Sequence, residues 1–312
     1  MEPPQDRTLS EAAHPRTFRA FTYVYPVLSR RSGGISVGIN LNPDKACNFD
    51  CIYCQVDRSK TPAEFFVGQP KLEAELRAVL SGLRPGGALW SEPEFAGLPH
   101  DKRIVTDIAF SGDGEPTTFK NFSAIVKACT AIKEELGFDT SKVVLITNAT
   151  GLDRPDVKEG LRYLDAHRGE VWAKLDAGTA DYFRLVDGTD FPFERVLANI
   201  QACGQERSLV IQSCFMRLRG AGPSADEFEA YLGRLEALLA GGAQIHLVQI
   251  YTVARPPAYG IVSSLNAQEI DAMAAKVRAR TALRTCAYYG QVDENQGLLG
   301  IEPAPNNMLP KS

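Results

Sequence analysis

Three cysteines lie close together near the start of the chain: Cys47, Cys51 and Cys54 form the pattern C-x3-C-x2-C. A [4Fe–4S] cluster usually binds one cysteine thiolate at each of its four irons. A set of three therefore leaves one iron open to a ligand that reacts. Structural zinc is the alternative, but it needs a closed set of four ligands, and the next candidate, His100, lies far downstream. The spacing favours a cluster with one open iron.

A glycine-rich segment, SGDGEPT, occupies residues 111–117. Its glycines, Gly112 and Gly114, allow the backbone to approach a ligand closely, and Glu115 adds a carboxylate. The structural alternative is an ordinary Gly-Asp turn between a strand and a helix. The segment follows the cysteines by one strand–helix unit, and this position favours a binding role.

Short apolar segments rich in β-branched residues alternate with segments whose apolar residues recur at the helical period. This order predicts a parallel sheet with right-handed crossovers and helices on the outside. Residues 83–102 show neither period and predict a long loop. The predicted strands are 35–41, 104–110, 143–146, 171–175, 209–215 and 245–253, and the helical stripes are 72–80, 122–136, 157–164, 196–203, 228–239 and 270–277.

Polar residues follow the predicted strands at their carboxyl ends, where the functional groups of parallel α/β folds gather. Lys174 and Asp176 share one face of the fourth strand, because side chains alternate along a strand. A lysine within an apolar strand is costly unless it is paired or faces a wet cavity. The two residues therefore either bind a ligand or pair within the protein. Other strands end in Thr147, Asn148, Gln212, Ser213, Gln249, Tyr251 and Arg255.

The remaining cysteines have structural interpretations. Cys129 and Cys203 fall on apolar helical stripes and predict core positions. Cys214 and Cys286 could in principle bind an auxiliary cluster, but their spacing does not support one. His246 lies within a predicted strand and is interpreted as a core histidine with its hydrogen bonds satisfied.

Composition narrows the class of protein. The chain has 312 residues, 44% of them hydrophobic, a formal net charge of −4 and seven cysteines. It has neither a signal-peptide pattern nor an apolar run of the ~20 residues that cross a membrane. Seven cysteines in such a chain indicate a reducing, cytoplasmic location rather than disulfides. A dedicated nucleic-acid binder would carry a basic excess.

Two adjacent arginines precede the first predicted strand. Arg30 and Arg31 form either a solvated turn or a clamp for a phosphate or carboxylate near the mouth of the site, since guanidinium groups bind such anions through two hydrogen bonds. Their roles, and that of Arg255, stay open.

The cysteine motif, with Tyr53 before its last cysteine, resembles that of the radical S-adenosylmethionine (SAM) superfamily. The resemblance implies that Cys47, Cys51 and Cys54 hold a [4Fe–4S] cluster whose open iron is chelated by SAM. Reductive cleavage of SAM then gives a 5′-deoxyadenosyl radical that abstracts hydrogen from a substrate. The implied fold is a partial (β/α)6 TIM-like barrel with outer helices, spanning residues 21–300 between flexible tails at 1–20 and 301–312.

The resemblance also assigns a SAM site. Gly112, Gly114 and Glu115 match the family's segment that binds the SAM amino group, although Asp113 replaces the more usual second glycine. By position in the fold, the further cofactor-binding residues are Tyr53, Asn148, Lys174 and Asp176. The catalytic residues stay unassigned.

The segments YVYPVLSRRSGGISVGINLNPDKACNFDCIYCQVDR, FSGDGEPT and VQIYTVARPP resemble the wyosine-synthase-like radical SAM oxidoreductases. True wyosine synthases modify tRNA and carry further upstream cysteines, whereas this sequence has none before Cys47 and lacks a basic surplus for tRNA. A small-molecule or peptide substrate is therefore favoured. The alternatives are a tRNA-modifying enzyme and a non-catalytic metal-binding protein. The expected electron donor is flavodoxin or ferredoxin, and no membrane partner is expected.

Overall fold

A computed structural model describes residues 9, 18–56, 58, 68–255 and 259–290. In this part of the chain the strands are β1 Val24–Leu28, β2 Ile35–Ile39, β3 Val105–Phe110, β4 Lys142–Thr147, β5 Gly169–Lys174, β6 Leu209–Cys214, β7 Met216–Leu218, β8 Ile245–Tyr251, β9 Val262–Ser264 and β10 Thr285–Tyr288. The α-helices are α1 Gln69–Gly82, α2 Pro93–Ala96, α3 Phe122–Glu135, α4 Pro155–Asp165, α5 Ala180–Asp187, α6 Phe193–Glu206, α7 Ala225–Ala240 and α8 Ala267–Thr281.

Eight strands form one sheet in the order β1-β2-β3-β4-β5-β6-β8-β10. All neighbouring pairs are parallel except β1 with β2, which is antiparallel. The predicted α/β class, with a mainly parallel sheet and surrounding helices, is confirmed. The six predicted strands correspond to β2, β3, β4, β5, β6 and β8.

The sheet has two strands more than predicted, because β1 and β10 extend it at its two edges. Pro26 lies within β1, and a proline in an apolar run is tolerated at an edge, where its missing N–H costs no ladder hydrogen bond. β10 has four residues, too few for a clear period. β7 and β9 form a separate antiparallel pair.

Contact between the two edges shows that the sheet curls. Arg30, in the turn between β1 and β2, donates a hydrogen bond to the backbone carbonyl of Tyr289, just after β10. Within the described residues the strand order ends at β1 and β10, so the sheet is a curved but open barrel.

Alternation along the strands separates the apolar core from the inner face. Ile35, Val37 and Ile39 of β2 are fully buried in the main core, where the helices pack. Ser36 and Gly38, which point the other way, line a cavity on the inner face. Small and polar residues on this face leave room for a ligand.

Two predictions about helices need correction. Residues 83–102 contain α2 and short helical turns, with Leu89, Phe95 and Leu98 buried, rather than an irregular loop. The helix α5 was not predicted.

Across the described part of the chain, no helix combines the length and apolarity needed to cross a membrane.

The predicted tails lie mostly outside the described residues. Two described residues of the N-terminal segment are buried: Leu9 donates its backbone N–H to the Glu94 carbonyl, and the ring of Phe18 packs edge-on against that of Phe95. The segment 301–312 is not described, so the domain boundaries stay predictions.

The interpretation of His246 as a core residue is wrong. Its side chain is 40% exposed at the start of β8, where one ring nitrogen lies 2.9 Å from Ser208 Oγ and the other 3.1 Å from Glu170 Oε1. Cys129 and Cys203 are buried, as predicted, and so is Cys214.

Glu75 fixes β1 to α1. Its buried carboxylate accepts the backbone N–H groups of Thr22, Tyr23 and Val24 at 3.0, 2.8 and 3.2 Å. We expect Glu75→Ala to lower the free energy of unfolding by at least ~2 kcal/mol, because a buried donor without an acceptor costs about 1–3 kcal/mol. Denaturant unfolding measures this. Glu73→Ala on the same helix is the control, and equal losses in the two variants would contradict the role of Glu75.

Candidate active site

The cysteine loop, described for residues 40–56 and 58, is held by backbone contacts rather than by regular secondary structure. Asp50 N–H donates to the carbonyls of Asp187 and Gly188, both at 3.2 Å, and Ile52 N–H donates to the Val186 carbonyl at 2.9 Å. Gly188 has φ +57°, and a Cβ there would lie 2.2 Å from the Asp50 carbonyl oxygen. The end of α5 therefore docks the loop through a contact that only glycine allows.

The glycine-rich segment supports the same loop from the other side. A Cβ at Gly114 would lie 2.1 Å from the Ala46 carbonyl oxygen, just before the first cysteine. Gly112 has φ +152°, and a Cβ there would lie 2.6 Å from the Asn40 side chain. Both glycines permit a close approach, and in the structure that approach is to the chain itself.

Glu115 joins the ends of two neighbouring strands. Its buried carboxylate accepts hydrogen bonds from the Thr117 backbone and hydroxyl at 3.1 and 2.6 Å, from the Thr147 hydroxyl at 2.6 Å and from the Asn148 backbone at 2.7 Å. Burial raises the pKa of Glu115, although these hydrogen bonds act in the opposite direction. The residue positions this end of the sheet, and its contact with SAM stays a prediction.

Asn148 connects the end of β4 to the cysteine loop. Its amide nitrogen donates to Asn48 Oδ1 at 2.8 Å, and Asn48 Nδ2 donates to Thr150 Oγ1 at 2.7 Å. Asn48 lies next to Cys47, so this network fixes the beginning of the motif.

Lys174 and Asp176 interact through Tyr53. Lys174 Nζ donates to the Tyr53 hydroxyl at 3.0 Å, and this hydroxyl donates to Asp176 Oδ2. Asp176 Oδ1 also accepts the Cys214 N–H at 2.6 Å. The two residues predicted to face either a ligand or each other are thus linked by the tyrosine of the motif, and Lys174 also faces the cavity.

Asp187 was not singled out from the sequence. It is buried at the end of α5, with Oδ1 3.5 Å from Cys51 Sγ. Burial and the nearby charge of Asp176 raise the pKa of Asp187 well above its usual range. In the sequence, the Asp187-Gly188 pair after a short apolar stripe could have indicated the end of a helix there, since glycine commonly follows a helix end.

The three motif thiols suit an iron–sulfur cluster. All are half-buried, unpaired by disulfides and part of the lining of one cavity. Burial raises the pKa of Cys47 and Cys51, and Arg58, also missed from the sequence, points Nη2 at Cys54 Sγ from 3.7 Å. No three acidic, histidine or cysteine side chains of the described residues converge on a single-ion site. A cluster instead needs one thiolate on each of three irons.

The cavity measures about 290 Å³ and extends from the cysteine loop to the β1–β2 turn. Its lining includes every predicted site residue except Asp176, whose carboxylate is hydrogen-bonded to Tyr53. The predicted residues in its lining are Cys47, Cys51, Tyr53, Cys54, Gly112, Gly114, Glu115, Asn148 and Lys174. Arg30, Arg31, Gln212, Tyr251 and Arg255 line it as well.

Comparison with known sequences finds distant relatives. The GTPase Obg of Brachyspira hyodysenteriae is 27% identical over 186 residues, 59% of this chain and 22% of that protein. A UPF0026 protein of Helicobacter pylori is 24% identical over 236 residues, 75% of this chain and 67% of its own. One from Methanocaldococcus jannaschii is 33% identical over 140 residues, 45% of this chain and 37% of its own. The chain thus spans only about a fifth of the first relative. No protein-family model matches.

Comparison with solved structures identifies the fold. SuiB of Streptococcus suis, bound to S-adenosylmethionine, matches with a TM-score of 0.55 and 12% identity over 83% of this chain and 52% of that chain. The chain shares the fold of SuiB over most of its length. A structure of TYW1 with a lysine-pyruvate adduct has a TM-score of 0.48 and 18% identity, covering 78% of this chain and 72% of that chain. In this shared fold, the cysteine loop and the polar strand ends line one cavity.

Docking of the cysteine loop can be tested at Gly188. We expect Gly188→Ala to destabilise the protein by more than ~1 kcal/mol, because φ +57° disfavours a Cβ and the new methyl group would meet the Asp50 carbonyl at 2.2 Å. The loop cysteines should also react faster with a thiol reagent in metal-free protein. Gly233→Ala is the matched control, since nothing lies within 4 Å of a Cβ there and alanine favours a helix. Unchanged stability and thiol reactivity in Gly188→Ala would show that the contact does not hold the loop.

Proposed function

We propose that this protein is a radical SAM enzyme in which Cys47, Cys51 and Cys54 hold a [4Fe–4S] cluster and SAM binds its remaining iron. The observation that carries the proposal is that the three thiols, Lys174 and the glycine-rich segment line one cavity at the carboxyl ends of parallel strands. When bound, the cluster would supply the electron that splits SAM into methionine and the 5′-deoxyadenosyl radical, which takes a hydrogen atom from the substrate.

The chain's own residues would stabilise the thiolate form of the motif. Arg58 places a guanidinium nitrogen near Cys54 Sγ and also donates to the carbonyls of Lys45 and Asp113. It therefore joins the cysteine loop to the glycine-rich segment while a positive charge faces a sulfur. Burial makes ionised thiols costly at Cys47 and Cys51, and binding a metal replaces their protons.

SAM would be held between opposite charges. Lys174 supplies a cation for its carboxylate, and the carbonyls of the glycine-rich segment supply acceptors for its ammonium group. Glu115 Oε2 accepts one hydrogen bond from the described residues, at Asn148 N–H, and a carboxylate oxygen can accept a second. This supports a direct contact between Glu115 and the ammonium group.

The reaction also needs an electron donor and a substrate. We propose a flavodoxin- or ferredoxin-type donor, because cleavage of SAM consumes one electron. A small-molecule or peptide substrate fits the net charge of −4 better than tRNA does. Retardation of tRNA by the cluster-loaded protein at low salt would favour the tRNA-modifying alternative.

The cluster is tested by metal content. We expect the anaerobically reconstituted protein to bind about four iron and four sulfide per chain, and Cys47→Ala, Cys51→Ala and Cys54→Ala each to lose most of that iron. Cys286→Ala, a half-buried cysteine outside the motif, should retain it. One zinc per chain with no iron uptake would refute the proposal.

The SAM site is tested at Glu115. We expect Glu115→Gln to weaken SAM binding by roughly ten- to a hundredfold, because a charge-assisted hydrogen bond contributes about 1.5–3 kcal/mol. Reductive release of 5′-deoxyadenosine should fall in parallel while iron content stays near that of the wild type. Calorimetry on cluster-loaded protein measures the affinity, with the exposed Glu135→Gln as control. Lower stability with unchanged SAM affinity would mean that Glu115 only joins the strand ends.

A further inference from the structure

Arg31 reaches the cavity from the opposite end to the cysteines. It belongs to the turn that precedes β2, and its guanidinium lies 5.8 Å from the ring centre of Trp172 and 5.3 Å from that of Tyr251. Trp172 is on β5 and Tyr251 on β8, the two neighbours of β6. The guanidinium therefore lies over β6, inside the curved sheet.

Among the described residues, the hydrogen-bonding capacity of Arg31 is not used. Within the described residues its guanidinium makes ring contacts but neither a hydrogen bond nor an ion pair. Asp107, a buried acid that also lines the cavity, accepts hydrogen bonds from Ser36 and Thr106. Burial raises the pKa of Asp107, and the positive charge of Arg31 is among the effects that oppose this, without a hydrogen bond between the two side chains. Five N–H donors beside two aromatic rings are suited to a planar anion.

An unsatisfied acceptor lies on the strand beneath. Gln212 of β6 is fully buried and lines the cavity. Its amide nitrogen donates to Gln249 Oε1 at 2.8 Å, which fixes the orientation of the group, but Gln212 Oε1 has no hydrogen-bond partner among the described residues. Buried polar atoms are nearly always hydrogen-bonded, so this carbonyl indicates a missing donor.

The two groups complement each other without touching. Gln212 pairs in register with Lys174 on one side and Gln249 on the other, so it lies between the strands whose rings flank Arg31. A guanidinium and an amide carbonyl that were in contact would form a hydrogen bond. Both residues line the cavity, so a ligand that accepts from Arg31 and donates to Gln212 would satisfy both groups.

We propose that Arg31, Trp172, Gln212 and Tyr251 form the substrate subsite, and that it takes a small carboxylic acid bearing an amino or hydroxyl group. This inference rests on the proposed function, since it names the substrate class of the same cavity. The carboxylate accepts two hydrogen bonds from Arg31, and the amino or hydroxyl group donates to Gln212 Oε1. The rings shield this pair from water, and a cavity of about 290 Å³ that also admits SAM keeps the ligand small.

The test is ligand binding, read independently of SAM chemistry. Anaerobic, SAM-saturated protein is titrated calorimetrically with the common L-amino acids, L-lactate and L-malate, so that an acid cannot simply occupy the place of SAM's own methionine group. We expect at least one acid to bind saturably, and its amide and its analogue without the donor to bind at least tenfold more weakly. Arg31→Gln should weaken the acid about tenfold or more, Arg31→Lys should weaken it less, and the surface variant Arg77→Gln should match the wild type.

A second readout separates this inference from the proposed function. In metal-free protein with Trp90→Phe, Trp172 is the remaining tryptophan, and an acid bound at Arg31 should change its fluorescence. Failure to load iron or cleave SAM would refute the proposed function while leaving this titration readable. Binding of no acid, an equal response to inorganic phosphate, or equal affinity in Arg31→Gln would overturn the subsite.

Discussion

Close backbone packing around the cysteine loop is the constraint on which the rest of the site depends. The described residues of the loop form no helix or strand, so the shape of the loop is set by the elements that it contacts. Gly114 contacts the chain just before Cys47, and Gly188 contacts it just before Cys51; at both positions a Cβ would come within about 2.2 Å of a carbonyl oxygen. The first contact comes from the end of β3 and the second from the end of α5. Elements distant in sequence therefore fix the three thiols.

Beside Tyr53 of the loop, one cation lies close to two buried acids. Lys174 faces Tyr53, and the carboxylates of Asp176 and Asp187 lie buried nearby. Burial raises the pKa of both carboxyl groups, and the charge of Lys174 opposes this. Two ionised carboxylates beside one lysine in a dry site would leave an uncompensated negative charge. The raised pKa values reduce this imbalance, and Asp187 Oδ1 lies 3.5 Å from Cys51 Sγ.

Local pattern predicted the parts of the fold that local forces determine. Alternating strands and helical stripes placed six of the eight strands in the main sheet, and polar residues after those strands placed most of the cavity lining. The edge strands were missed because β1 contains Pro26 and β10 is four residues long, so neither has a clear period. Asp187 and Arg58 were missed because their importance arises from tertiary contact with Cys51 and Cys54. Glu115 was found for its chemistry, but two of its four hydrogen bonds, from Thr147 and Asn148, depend on a neighbouring strand that only folding brings close.

Because the sheet is curved, the two cations Lys174 and Arg31 reach the cavity from different elements. Lys174 is linked to the motif through Tyr53, whereas Arg31 enters from the turn beyond the opposite end of β2. The Arg30 hydrogen bond to the Tyr289 carbonyl ties that turn to the far edge of the sheet, so the position of Arg31 depends on the curl itself. A radical formed beside the cysteines would then meet a substrate held from the other side. Under the proposed function, the residues that generate the radical and those that select the substrate belong to separate elements, and the turn between β1 and β2 could change specificity without disturbing the cluster.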